Sequence, residues 1–262
     1  MTVEMINGRR VGVTRCGAGA PMLMLHCALA HRGALAPLMA VLGAGAFCAF
    51  DLPGHGESEF DARADIQAQA VETAVALLEE CGPAHVVGHS FGATVALKLA
   101  TLRPDLVTRL SLYEPVYFSL LAEANPVAYE AEAVASKSFT DAAEAGDWPA
   151  ASRAFLDRWS AEPYDGLPSP QREYILKTIP LILASSASII APESTGPIMA
   201  GLPELKMPVL LMEGTESPAV IAAINDVIAA RVPGIKRQVL AGAGHMGPIT
   251  SASTVVQMMR GA

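Results

Sequence analysis

The sequence predicts an α/β fold built on a mainly parallel sheet with helices on both faces, and three observations lead there. Short apolar runs alternate with amphipathic helical patterns along most of the chain. The pentapeptide Gly88-His89-Ser90-Phe91-Gly92 stands between an apolar run and a helical pattern, where a strand must turn sharply into a helix. The alternation fails once, between Tyr117 and Leu205, where helical patterns and proline breaks carry no strand signal.

Taken in order, the periodicity places strands at Thr2–Ile6, Arg10–Arg15, Met22–His26 and Phe47–Phe50, then at Ala84–Gly88, Arg109–Tyr113, Val209–Met212 and Lys236–Leu240. Helical patterns fall at Ala34–Leu42, Ile66–Glu80, Ala93–Leu102, Ala219–Arg231 and Thr254–Arg260. The first ten residues put an acid early and the Arg9-Arg10 pair late with no apolar stretch between, so they read as a strand and not as a secretory leader. The uncharged stretch from Gly33 to Phe50 comes near the roughly 18 residues of a membrane span. Pro37, Gly43 and Gly45 divide it into helix, turn and strand. A helical segment inserted at the C-terminal edge of a parallel sheet lies over the crevice where such sheets bind ligands. Residues 117–204 are therefore expected to form a helical cap on a core of residues 1–116 and 205–262.

Composition narrows the partners. The 262 residues are 52% hydrophobic and 17% charged, enough for one large core. A net charge of −8 with no Lys/Arg run argues against nucleic acid and anionic membrane, and favours a small neutral or cationic ligand. Four cysteines without a C-x-x-C pair read as reduced, buried thiols in a cytoplasmic chain. His26 and His31 lie five apart without further ligands, so no metal is expected. With no G-x-G-x-x-G turn and no P-loop, no nucleotide or organic cofactor is expected either.

The strand-to-helix turn presents Ser90 as a nucleophile and lets the backbone N–H of Phe91 face a developing oxyanion at a helix N-terminus. A serine hydroxyl is a weak nucleophile near neutral pH, so a base and an orienting acid must accompany it. Gly242-Ala243-Gly244-His245-Met246-Gly247-Pro248 places His245 in a glycine-rich loop after the last strand, able to swing back over the sheet edge.

Four motifs in order then make the chain resemble the α/β-hydrolase superfamily: Leu25-His26-Cys27-Ala28, Asp51-Leu52-Pro53-Gly54-His55-Gly56-Glu57-Ser58, the Ser90 turn, and the Gly244-His245 loop. The resemblance implies an eight-stranded sheet with the second strand antiparallel, a cap inserted after strand six, and a Ser-acid-His triad. It makes Ser90 the nucleophile, His245 the general base, and the backbone N–H groups of Ala28 and Phe91 the oxyanion hole. Cys27 stands where the family usually has glycine, which keeps the amide and adds a side chain. Asp51 belongs to a loop-shaping motif, His31 ends the oxyanion loop facing either substrate or solvent, and His89 is expected on the pocket floor. The aspartate most relatives carry after strand seven is replaced by Ser217 in Glu213-Gly214-Thr215-Glu216-Ser217-Pro218. The acid is then Glu114, at the end of strand six as in haloalkane dehalogenases, or Glu216.

The function implied is a serine hydrolase that cleaves a small carboxylic ester, lactone or thioester through an acyl-enzyme. Cleavage of a carbon–carbon bond in a β-diketone and cofactor-free perhydrolysis use the same triad, and a non-catalytic ligand-binding scaffold is a further alternative. Ser90 excludes a haloalkane dehalogenase or epoxide hydrolase, which need aspartate at that turn. In the insertion, Tyr117, Phe118, Phe139, Trp148, Phe155, Trp159 and Tyr174 offer an apolar ceiling, with two or three of them expected to face the substrate.

Overall fold

Eight strands form one sheet among the residues that the computed structural model describes, 2–160 and 162–261. They are β1 (Thr2–Ile6), β2 (Arg9–Cys16), β3 (Pro21–Leu25), β4 (Ala46–Phe50), β5 (Ala84–His89), β6 (Val107–Tyr113), β7 (Val209–Gly214) and β8 (Lys236–Leu240). The order across the sheet is β1-β2-β4-β3-β5-β6-β7-β8. β2 runs antiparallel to both β1 and β4, and the remaining neighbours are parallel.

The helices between them are α1 (Ala36–Leu42), α2 (Ile66–Cys81) and α3 (Phe91–Leu102), then α4 (Leu120–Ala124), α5 (Pro126–Ala135), α6 (Lys137–Glu144) and α7 (Trp148–Trp159). They continue with α8 (Ser169–Thr178), α9 (Pro180–Ala184), α10 (Ser186–Ile189), α11 (Thr195–Gly201), α12 (Ala219–Ala229), α13 (Gly247–Thr250) and α14 (Ala252–Arg260). None of the described helices is long and apolar enough to cross a membrane. Pro37, in the first turn of α1, is preceded by a 3-10 turn over Arg32–Leu35, so the helical pattern read from Ala34 begins in a tighter winding. α3 starts two residues before its sequence pattern, because the turn from β5 is completed by Ser90 alone.

Strand alternation builds a core on each face of the sheet. Leu23, Leu25, Phe50, Val86, Leu110, Leu112 and Leu211 point toward the side covered by α2, α3 and α12. Met22, Met24, Phe47, Val87, Tyr113, Leu210 and Met212 point to the other, against Leu38 of α1 and Val255, Val256 and Met259 of α14. Both faces are buried, so the central strands read as apolar runs. The insertion after β6 is divided in its packing. Tyr117, Leu120, Leu121, Ile198 and Leu202 join the main core, whereas Ala143, Ala151 and Ile179, and Leu156, Tyr164 and Ile175, form two small clusters of their own. All four cysteines are free thiols, but Cys16 and Cys81 are exposed, which corrects the expectation that all are buried: each ends its element, β2 or α2, at the sheet margin.

The chain turns one way from β3 to β4 and comes back to place β5 on the other side, so the loops after β3 and β5 part over the sheet edge. Buried polar side chains lock those loops. Asp51 accepts from the backbone N–H groups of Arg32 (2.8 Å) and Glu57 (2.9 Å) and pairs with the Arg32 guanidinium, which also reaches Glu57. His26 accepts from the N–H of Leu52 (2.9 Å) through Nε2 and donates from Nδ1 to the Cys27 carbonyl (2.7 Å). His55 accepts from the N–H of Leu29 (3.1 Å) and donates to the Pro53 carbonyl (3.0 Å). Burial keeps both imidazoles neutral, pushing His55 down to about 4 and His26 well below its ordinary range.

Removing the carboxylate in Asp51→Ala leaves the largely buried Arg32 guanidinium with only the more exposed Glu57 as an ionic partner and strips the Arg32 and Glu57 N–H groups of their acceptor. It is expected to lower the unfolding free energy by about 3–5 kcal/mol in urea titrations, and a loss under about 1 kcal/mol would contradict this role. The buried histidines set a second expectation. Unfolded, each protonates as pH falls below about 6.5, while in the folded chain His55 stays neutral until about 4 and burial holds His26 well below its ordinary range. Their contribution is complete above pH 6.5 and is lost progressively below it, so stability at pH 5 should be at least about 1 kcal/mol less than at pH 7. Equal unfolding midpoints at the two pH values would contradict neutral burial.

Candidate active site

Ser90 is the single residue between β5 and α3, with φ of 56° and ψ of −119°, in the left-handed region where a non-glycine side chain is strained. Its flanking glycines are required by contact: a Cβ at Gly88 would meet the backbone of Gly92 and Ala93, and one at Gly92 would meet the carbonyls of Leu25 and His26. The strain is held by the Ser90 N–H donating to the Tyr113 carbonyl (2.9 Å) and by the N–H and hydroxyl of Thr94 donating to the Ser90 carbonyl (3.0 and 3.1 Å). Ser90 makes no side-chain cap to α3, so its hydroxyl is free to donate to His245 Nε2 at 2.8 Å.

His245 lies in the loop after β8 and donates from Nδ1 to Glu114 Oε2 at 2.6 Å. Glu114 follows β6, also with a left-handed φ of 51°, and its N–H donates to the Met212 carbonyl (3.0 Å). Its second oxygen accepts from the Gly214 N–H (2.7 Å) and the Ser217 hydroxyl (2.6 Å). Glu114 is fully buried, a state a carboxylate tolerates only with such donors. The structure therefore brings Ser90, His245 and Glu114 into one hydrogen-bonded chain and leaves Glu216 outside it, its side chain exposed.

The His245 loop is pinned from behind. His89 donates from Nε2 to the His245 carbonyl (2.7 Å), and the Tyr113 hydroxyl donates to the Gly244 carbonyl (2.9 Å). This corrects the placement of His89 on the pocket floor: alternation along β5 puts it on the face of Val87, where its ring sits 5.8 Å from that of Tyr113. Burial first, and then the neighbouring His245, push its imidazole down to about 3. His31 accepts from the Gly33 N–H (3.1 Å) as a helix cap, and is not among the residues lining the cavity.

A cavity of about 570 Å³ opens above this chain, with Ala28, Ser90, Phe91 and His245 on its floor. Ala28 and Phe91 both keep backbone N–H groups that make no hydrogen bond among the described residues, whereas the N–H of Leu29 is taken by His55. Cys27 is buried beside them, and burial raises its thiol to about 12, so it stays protonated at neutral pH. The insertion supplies the walls. Of the seven aromatic residues named from the sequence, Phe118, Phe139, Phe155 and Trp159 line the cavity, and Tyr129 of α5 lines it as well, because several short helices each present an edge to it. Tyr117 is buried toward Gln67, Trp148 packs in a small cluster of the insertion, and the Tyr174 hydroxyl donates to the Ala30 carbonyl (2.6 Å). The Trp159 ring lies 4.7 Å from that of His245, edge to face, so the insertion touches the histidine directly. The roles of Ser217 and Arg32 escape a reading of motifs. Only Ser217 has a sequence signal, a hydroxyl where an acid was expected.

Comparison with known proteins identifies the family and the fold. Residues 22–257 match the Alpha/beta hydrolase family. The (E)-2-((N-methylformamido)methylene)succinate hydrolase of Acinetobacter baylyi is 24% identical over 264 aligned residues, 99% of this chain and 96% of that one. An N-acyl homoserine lactone degrading enzyme superposes with a TM-score of 0.76 at 19% identity, covering 99% of this chain and 98% of its own. An esterase from Exiguobacterium antarcticum superposes with a TM-score of 0.77 at 16% identity, covering 99% and 97%. The chain belongs to the α/β-hydrolase family, and it shares that fold with an esterase and a lactone-degrading enzyme.

Proposed function

We propose that the protein is a serine hydrolase acting on a small carboxylic ester, or a lactone or thioester, through an acyl-enzyme intermediate. The observation that carries this reading is the unbroken path from the Ser90 hydroxyl through His245 to Glu114, opening into a cavity with mainly apolar walls. Ser90 Oγ attacks the ester carbonyl carbon while its proton passes to His245 Nε2. Glu114 holds Nδ1–H and stabilises the imidazolium that forms. The negative oxygen of the tetrahedral intermediate is received by the N–H groups of Ala28 and Phe91, an arrangement in which one donor is typically worth about 3–4 kcal/mol. The carbon–oxygen bond to the alcohol then breaks, and the alcohol leaves with the proton from His245. Water, activated by the same histidine, attacks the acyl-enzyme and releases the acid, restoring Ser90.

In this reading residues 117–204 act as a cap. Phe118, Phe139, Phe155 and Trp159 hold the substrate away from water, and Trp159 keeps His245 from turning out of line. The walls suit a modest acyl or alkyl group.

Turnover of short p-nitrophenyl esters, acetate to hexanoate, tests the proposal. Ser90→Ala should lower kcat by about 10⁴-fold or more, and a variant retaining turnover within tenfold of the parent would remove Ser90 from the chemistry.

A further inference from the structure

Arg158, near the end of α7, lines the same cavity as Ser90. Its side chain is 19% exposed and is paired with Glu132 of α5, itself 11% exposed. The guanidinium carbon lies 5.3 Å from the centre of the Trp159 ring, which in turn packs on His245. The guanidinium is thus one aromatic ring removed from the reacting histidine.

The pairing with Glu132 uses Nη2 and leaves Nη1 buried without a hydrogen-bond acceptor. Among the described residues, Nη1 is the one buried side-chain atom in that condition that belongs to a residue lining the cavity. A buried donor without an acceptor is unfavourable by itself and gains most when a bound molecule supplies one. The hydroxyls of Ser136, Thr140 and Ser185 donate to carbonyls of their own helical segments, and none lies within hydrogen-bond distance of Nη1.

Charge decides what the acceptor is. Glu132 already balances Arg158, and burial, more than the opposing pull of Arg158, pushes the Glu132 carboxyl above the usual carboxylate range. A second carboxylate on Arg158 would put two negative charges against one positive among apolar walls, at a desolvation cost the single guanidinium does not offset. A neutral carbonyl oxygen satisfies Nη1 without changing the charge.

We infer that the preferred substrate carries a second, uncharged carbonyl oxygen, of a keto, amide or ester group, at the cap end of the part held in the cavity, and that Arg158 Nη1 donates to it. The inference rests on the hydrolase reading above and makes Arg158 the residue that separates such substrates from plain acyl esters.

The test compares p-nitrophenyl hexanoate with its 4-oxo and 5-oxo analogues and with the anionic mono-p-nitrophenyl ester of adipic acid, in wild type and Arg158→Met. The readout is the ratio of kcat/KM between two esters in one preparation, which does not depend on how much of a variant is folded. The ratio of the better oxo ester to hexanoate should be about tenfold or more higher in wild type than in Arg158→Met. The double variant Arg158→Met/Glu132→Gln, which leaves no unpaired charge, should show the same lowered ratio. Equal ratios in wild type and variants would overturn the inference while leaving the hydrolase reading intact. So would an adipate ester preferred over both oxo esters in wild type. Failure of wild type to hydrolyse any of the four esters would count against the hydrolase reading, and the inference would fall with it.

Discussion

A fully buried carboxylate with a single excess charge, that of Glu114, sets the arrangement of the sheet's C-terminal edge. Such a group is stable only where donors converge on it, and here they come from three places: the Gly214 backbone at the end of β7, the Ser217 hydroxyl in the loop after it, and His245 beyond β8. Meeting that requirement fixes the spacing of three successive elements. It also accounts for the departure after β7, because the position that would hold an aspartate holds a donor that serves the acid on β6. An aspartate at 217 beside Glu114 would set two like charges in one buried site.

Around this centre the polar side chains serve as fasteners because they are kept neutral or paired. His26 and His55 tie the loop after β3 to the loop after β4, and His89 with Tyr113 ties the His245 loop to the sheet. Neutral imidazoles offer one donor and one acceptor with no charge to solvate, which suits positions with almost no exposure. Two residues at positive φ, Ser90 and Glu114, follow adjacent strands, so both ends of the hydrogen-bonded chain through His245 sit on strained backbone. The insertion completes the site from above by setting Trp159 against the imidazole.

The sequence made much of this legible because its signals are local. Apolar alternation located all eight strands with ends within two residues, and the glycines at 88 and 92 announced a turn that only small residues allow. Periodicity could not show which strand-end acid faces His245, since Glu114 and Glu216 lie 102 positions apart in sequence and compete for one imidazole across space. Nor could it place His89, whose direction follows from the register of β5 against β6, or select which aromatic residues of the insertion face inward, since that depends on how short helices pack. The pairing of Arg158 with Glu132 joins two helices of the insertion that share no motif.

The central claim is that the acid of the site comes from β6 and not from the loop after β7. It is tested most directly by kcat/KM for a short p-nitrophenyl ester in Glu114→Gln and Glu216→Gln measured side by side with the parent. Loss of the carboxylate that orients His245 should lower kcat/KM by about 10²–10⁴-fold in Glu114→Gln, with Glu216→Gln within about twofold of the parent. The reverse pattern, or near-parental activity in Glu114→Gln, would contradict it.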